Sequence, residues 1–293
     1  LSPAAGEPET SVLGGLYADP CLVVFDDRFW IFPTADGHSD WGSSTFTAHS
    51  SDDLVHWQNH GPILTLGVDV VWASVRAWAP AMVRRGGRYY FYFSADKNIG
   101  VAMGDSPTGP FHDLGRPLVT AGSYEWQMID PAVFFDVDGT AYLYWGSGNA
   151  YAVRLDDDMV SYDPSQVVTW KPGNYREAAW VHSHAGVYYL TWSENDTREA
   201  DYQVAYATGP TPLGPWTEQG ILLHKRPTDG ILGTGHHSIA QDPRTGEWYI
   251  AYHRFALRGG DGYHREVVID RLVHRPDGLL GPVIPTPRGV ARR

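Results

Sequence analysis

The chain has 293 residues, 43% hydrophobic and 19% charged, the balance of a globular protein and not of a disordered one. Its 34 acidic against 22 basic residues leave a net charge of −12, which argues against a nucleic-acid or anionic-membrane partner, because phosphates need clustered Lys and Arg. No apolar run is long enough for a spanning helix, and the single cysteine, Cys21, excludes an internal disulfide and a cysteine-based zinc site.

One pattern recurs along the chain: a short apolar strand, a turn, then an aromatic-rich strand. It first runs from Ala18-Asp19-Pro20 to Phe25, turns at Asp26-Asp27 and continues through Phe29 to Phe32. It returns at Trp78-Ala79-Pro80, with Gly86-Gly87 before Tyr89 to Phe93, and at Ile129-Asp130-Pro131, with Asp138-Gly139 before Ala141 to Trp145. The fourth copy spans Arg176-Glu177-Ala178, the turn Ala185-Gly186 and Val187 to Trp192. The fifth spans Gly235-His236-His237, Thr245-Gly246 and Trp248 to Tyr252. Turns of this kind predict hairpins, since glycine and aspartate accept the positive φ that tight connections require.

Third strands are predicted at Thr45 to Ala48, Gly100 to Met103, Tyr151 to Arg154, Tyr202 to Tyr206 and Glu266 to Asp270. Roughly fifty residues per copy leave room for four strands, and helical periodicity is absent, so the repeat predicts an all-β, five-bladed β-propeller with four-stranded antiparallel blades. A β-sandwich would not explain the repetition. The whole chain, 1–293, reads as one domain, with its core at about 15–285 and short tails.

In a propeller the innermost strand of each blade lines the central channel, so residues at its start converge although they lie far apart in sequence. The expected equivalent positions hold Asp19, Ala79, Asp130, Glu177 and the His236-His237 pair. Each Asp-Pro alone reads as a turn. Three carboxyls gathered in one poorly solvated place would repel and shift one another's pKa, which a fold does not arrange for stability. Two carboxyls in different protonation states suit glycoside cleavage, and the 12 Trp, 17 Tyr and 10 Phe offer flat faces for sugar C–H surfaces.

In order and spacing, Ala18-Asp19-Pro20, Trp78-Ala79-Pro80, Ile129-Asp130-Pro131, Arg176-Glu177-Ala178 and Gly233-Thr234-Gly235-His236-His237-Ser238 resemble glycoside hydrolase family 43 over about residues 15–285. The resemblance implies a five-bladed propeller of inverting glycosidases acting on arabinose-, xylose- and sometimes galactose-containing polysaccharides. It implies Asp19 as general base, Glu177 as general acid, and Asp130 as the carboxyl that tunes and orients the acid. Trp78 matches the aromatic beside the pocket, and Arg265 an arginine that contacts the sugar or the third carboxyl. His236 matches an axial histidine that binds near substrate and is a candidate ligand for a structural cation, calcium or sodium, in the channel; catalysis itself requires no cofactor. The chain departs from the usual pattern at Ala81, where an acidic residue is common, and at Glu177-Ala178-Ala179, where Glu-Gly-Pro is common.

Trp41, after the second strand of the first copy, is a further candidate for stacking on substrate. The run Ser193-Glu194-Asn195-Asp196-Thr197-Arg198-Glu199 reads as a solvated loop, with a sugar-binding rim as its alternative. The expected activity is exo-acting removal of α-L-arabinofuranosyl groups, with β-xylosidase, exo-β-1,3-galactanase, a retaining fructosidase-like enzyme and a non-catalytic lectin as rivals. An inverting pair calls for carboxyls roughly 6.5–9.5 Å apart, a retaining pair for ~5–5.5 Å. A polymeric substrate implies a secreted monomer whose tail, from Ile284, leads towards a further module.

Overall fold

The computed structural model describes residues 11–290. Blade one comprises β1 (Tyr17–Phe25), β2 (Arg28–Ala35), β3 (Thr45–Ser51) and β4 (Gln58–Thr65). Blade two comprises β5 (Trp78–Arg85), β6 (Arg88–Ala95), β7 (Asn98–Gly104) and β8 (His112–Asp113). Blade three comprises β9 (Ala132–Phe135), β10 (Ala141–Trp145), β11 (Ala150–Arg154) and β12 (Val168–Trp170). Blade four comprises β13 (Tyr175–His184), β14 (Val187–Glu194), β15 (Gln203–Gly209) and β16 (Thr217–Leu223). Blade five has three strands among the described residues, β17 (Gly235–Gln241), β18 (Trp248–Phe255) and β19 (Arg265–Leu272).

The innermost strands β1, β5, β9, β13 and β17 each touch the next, and β17 touches β1, so the ring is closed. This is the five-bladed propeller that the repeat predicts. Where the other blades carry a fourth strand, the outer edge of β19 takes single bonds from both ends of the chain: Val12 N donates to Val267 O and Val290 N to Ile269 O, each within 3.0 Å. The tail also binds here, through Thr286 Oγ1 to Asp270 at 2.7 Å and Arg254 to the carbonyls of Thr286 and Pro287. Residues 286–290 thus pack on blade five.

The second strands read as continuous apolar runs because each sheet is covered on both faces by its neighbours. Tyr89 to Phe93 are all buried. The core lies between the blades: Phe32 and Phe46 of blade one pack on Phe91 and Phe93 of blade two, and Tyr144 of blade three shares a cluster with Leu190 and Trp192 of blade four. Cys21 sits in this core, its thiol pushed up to about 12 by burial.

Tight two-residue hairpins form at Asp26-Asp27, Gly86-Gly87 and Ala185-Gly186, with positive φ at both positions of each. The turns in blades three and five are longer. Phe135 pairs with Ala141 and Gln241 with Trp248, so Asp138-Gly139 and Thr245-Gly246 lie inside wider loops.

Candidate active site

Four innermost strands begin with a register shift around a non-glycine residue at positive φ, Asp19 (48°), Ala79 (41°), Ala178 (60°) and His236 (43°), and Asp130 (59°) stands just before β9. Such conformations cost about 1–3 kcal/mol each and persist where surrounding structure holds them. Here the preceding blade does so. Ala79 N donates to Thr34 Oγ1 at 2.8 Å, Asp130 N to Ser94 Oγ at 2.9 Å, and His236 N to Ser193 Oγ at 2.9 Å. Asp19 N lies 3.3 Å from His253 Nδ1. The matching place on blade three is Gly146, which has no side chain to offer; its φ is 114°, and a β-carbon would come within 2.3 Å of Asn149 O. The Ala178 N–H is directed at the Asp130 carboxyl and favours its ionised form.

This register corrects one expectation. Asp19, Asp130 and His236 are equivalent, but the fourth residue of the set is Ala178. Glu177 stands one position earlier, opposite Ser193, as Trp78 stands opposite Ser94. The acid therefore enters the pocket from the other side of the bulge.

All seven residues singled out from the sequence line a single cavity of about 230 Å³: Asp19, Trp41, Trp78, Asp130, Glu177, His236 and Arg265. The two tryptophans form one wall. Trp41 stacks on Tyr263 at 4.4 Å, and Trp78 Nε1 donates to Trp41 O at 2.7 Å.

Asp19 is buried in a cationic setting. His236 Nδ1 is 3.3 Å and His253 Nδ1 3.0 Å from its Oδ1, and Arg265 Nη1 lies 3.3 Å away. Burial raises its pKa, but His236, Arg265 and His253 outweigh that and hold the carboxyl well below the usual range. Burial also pushes both imidazoles down, His253 to about 4. At neutral pH Arg265 is therefore the standing cation. Of the two partners expected for Arg265, the sugar or the third carboxyl, the second is corrected: Arg265 meets Asp19, not Asp130, and Asp36 fixes its guanidinium with bonds of 2.9 and 3.0 Å.

On the opposite side, burial raises Asp130 well above its ordinary value, reinforced by Glu177 and Asp19 and opposed by the Ala178 N–H and Arg176. Its Oδ2 is buried without a hydrogen-bond partner. Glu177 is also raised, first by burial; Arg176, 3.7 Å away, and the Tyr202 hydroxyl, which donates at 3.0 Å, oppose this. The two carboxyls interact closely, so the proton they hold belongs to the pair, and both are raised above their ordinary values.

Donor atoms of Asp130, Glu177 and His236 lie within 4.8 Å of one another, the one such group of three among the described residues. Two carboxylates and an imidazole suit a divalent cation in charge and in donor type. An ion there would coordinate the carboxyl oxygens that otherwise carry the proton.

The sequence reading missed part of the wall. Gln127, Ile129 and Arg176 line the cavity, and so do Asp196, Thr197 and Arg198 of the run that reads as a solvated loop. Asp196 ties Arg198 at 2.7 Å and Arg176 at 3.3 Å. These three residues line the cavity instead of facing only solvent. The nearest signal is the loop's place, directly after the second strand of blade four, which matches that of Trp41 in blade one.

Comparisons with known proteins give the family. The family model described as glycosyl hydrolases family 43 matches residues 9–280. A β-D-galactofuranosidase of Aspergillus niger is 34% identical, over 99% of this chain and 88% of that protein. A xylosidase/arabinosidase of Bacteroides ovatus is 31% identical, over 92% of this chain and 95% of that one. The solved structure of an α-L-arabinofuranosidase from Clostridium thermocellum superposes with a TM-score of 0.78 at 34% identity, covering 94% of this chain and 96% of that one. With the propeller, the convergent carboxyls and these relatives in agreement, the chain belongs to glycoside hydrolase family 43 and is a glycosidase, not a lectin.

Proposed function

We propose that the chain is an inverting, exo-acting glycosidase that releases terminal α-L-arabinofuranosyl groups from plant polysaccharides or oligosaccharides. One observation carries this reading: a single pocket gathers three buried carboxyls, Asp19 bound by Arg265 with its pKa depressed, and Asp130 and Glu177 with theirs raised. The cavity is compact, about 230 Å³, which suits a single terminal sugar better than a long stretch of chain. That favours action at chain ends. Two of the relatives described above are named for furanosides, and the Bacteroides enzyme's name also supports β-xylosides as the second substrate.

In the reaction Asp19 takes a proton from a water molecule as its oxygen forms the new bond to the anomeric carbon. Glu177 gives its proton to the glycosidic oxygen as the old bond breaks. Asp130 holds Glu177 in its protonated state, and Arg265, fixed by Asp36, keeps Asp19 ionised. Trp41 and Trp78 offer stacking faces, and His236 lies within reach of a sugar hydroxyl. These steps are proton transfers and need no cofactor; a cation at Asp130, Glu177 and His236 would hold the acid in its ionised form. Both walls come from one chain, which supports action as a monomer, and a polymeric substrate supports secretion.

The test is a panel of 4-nitrophenyl glycosides with proton NMR of the first product formed. Arabinofuranoside turnover with inverted anomer is expected. A retained anomer, or a covalent glycosyl adduct on Asp19, overturns the mechanism, and turnover of other glycosides alone overturns the substrate.

A further inference from the structure

Beyond the cavity lies Trp126, 65% exposed and at φ 67°. A bulky residue in the left-handed region costs free energy, and this ring returns little of it by burial. Its loop is nevertheless pinned. The Glu125 carboxylate accepts from Asn149 Nδ2 at 3.1 Å and its carbonyl from Tyr151 Oη at 3.2 Å, while Gln127 O accepts from Ser147 N at 3.1 Å. One side of the indole lies on Gly148, where a β-carbon would come within 2.7 Å of the ring carbons. Lys171 Nζ stands 5.9 Å from the ring centroid.

The ring lies on the acid's side of the pocket. Gly148 N donates to Arg176 O at 2.8 Å, and Arg176 and Gln127 both line the cavity beside Glu177. The leaving group must depart past the residue that protonates it, hence towards Trp126. We propose that Trp126 is a stacking platform for the leaving-group sugar, a pyranose ring of a xylan-type β-1,4-linked chain, one ring beyond the cavity. A xylopyranose has no exocyclic carbon and can lay an apolar C–H face flat on an indole once the Lys171 ammonium, which sits over the ring, swings aside to the sugar's hydroxyls. The proposal rests on the reading that the enzyme releases arabinosyl or xylosyl groups.

The experiment compares kcat/KM for arabinofuranosyl-substituted xylotriose and for methyl α-L-arabinofuranoside in the wild type, Trp126→Ala and Trp126→Phe. In Trp126→Ala the ratio of the two should fall roughly tenfold, the size of one aromatic contact, and Trp126→Phe should restore most of it. An unchanged ratio overturns the platform. If the wild type turns over neither compound, the functional reading fails by itself. The platform is then judged by calorimetric titration with xylohexaose, which Trp126→Ala should weaken about tenfold. No binding by the wild type, or equal binding by both proteins, overturns it.

Discussion

Asp19 and Asp130 stand at the same position of blades one and three, each at positive φ and each followed by proline, yet their carboxyls are held in opposite states. The backbone does not cause the difference. Blade five brings Arg265 and His253 to Asp19, whereas blade four brings Glu177 and one N–H to Asp130. The repeat sets where a carboxyl points; the neighbouring blade sets its proton. A propeller can therefore keep its strand starts alike and still place a base opposite an acid.

The largest effect should come from breaking the ionised side. Asp19→Ala should lower kcat/KM by ~10⁴ on every substrate, since water needs a base whatever group leaves. Circular dichroism should show an intact fold, and more than a few per cent residual activity would remove Asp19 from this role. On the other side, Glu177→Ala should cost ~10³ on natural oligosaccharides but within about tenfold on aryl glycosides with acidic phenols, which leave without a proton. Equal losses on both kinds of substrate would mean that Glu177 is not the proton donor.

Asp130→Asn sharpens the contrast. The pair loses its last proton at raised pH because that step sets two negative charges side by side. In this variant the second charge never forms, so the basic limb of the pH–kcat/KM profile should move to lower pH. An unmoved limb would show that the two carboxyls are not coupled.

Stability should separate the walls as well. The raised pKa of Asp130 favours the fold at acid pH, a contribution lost as pH rises through its folded value. The depressed pKa of Asp19 favours the fold above the ordinary carboxyl range, a contribution lost as pH falls. Thermal melts should show Asp130→Asn gaining a few degrees on the wild type at pH 8 relative to pH 5, and Asp19→Asn losing a few degrees at pH 7 relative to pH 3. Parallel shifts would contradict the opposed charge states. The smallest effect concerns metal: EDTA should change kcat/KM by less than about twofold, since both steps are proton transfers without a Lewis acid. A larger loss would assign a working cation to Asp130, Glu177 and His236.

The blades and the strand-start residues Asp19, Trp78, Asp130 and His236 were legible because the strand–turn–strand pattern repeats around the ring, whereas Arg265 was legible through the family resemblance and Trp41 through its place after a second strand. The phase of Glu177 was not, because a bulge inserts a residue that leaves no mark in an apolar run. Asp196 and Arg198 were hidden for a different reason. A charged loop looks the same in sequence whether it faces solvent or arches over a pocket, and the ring decides which. Arg265 was visible, but its partner Asp36 lies 229 positions away, a pairing that local spacing does not encode.

The joint between blades five and one has a consequence for how the molecule comes into being. His253 meets Asp19 across 234 positions, Ser238 meets Leu22 across 216, and Arg265 meets Asp19 across 246. A chain leaving the ribosome can assemble Asp130 and Glu177 once blade four is out, but the setting that keeps Asp19 ionised waits for residue 265. Such distant closure is slow, because its entropy is lost before any contact forms. Hydrolysis is therefore a late event in maturation, and the first turnover of a refolding sample is a clock for the moment the circle shuts.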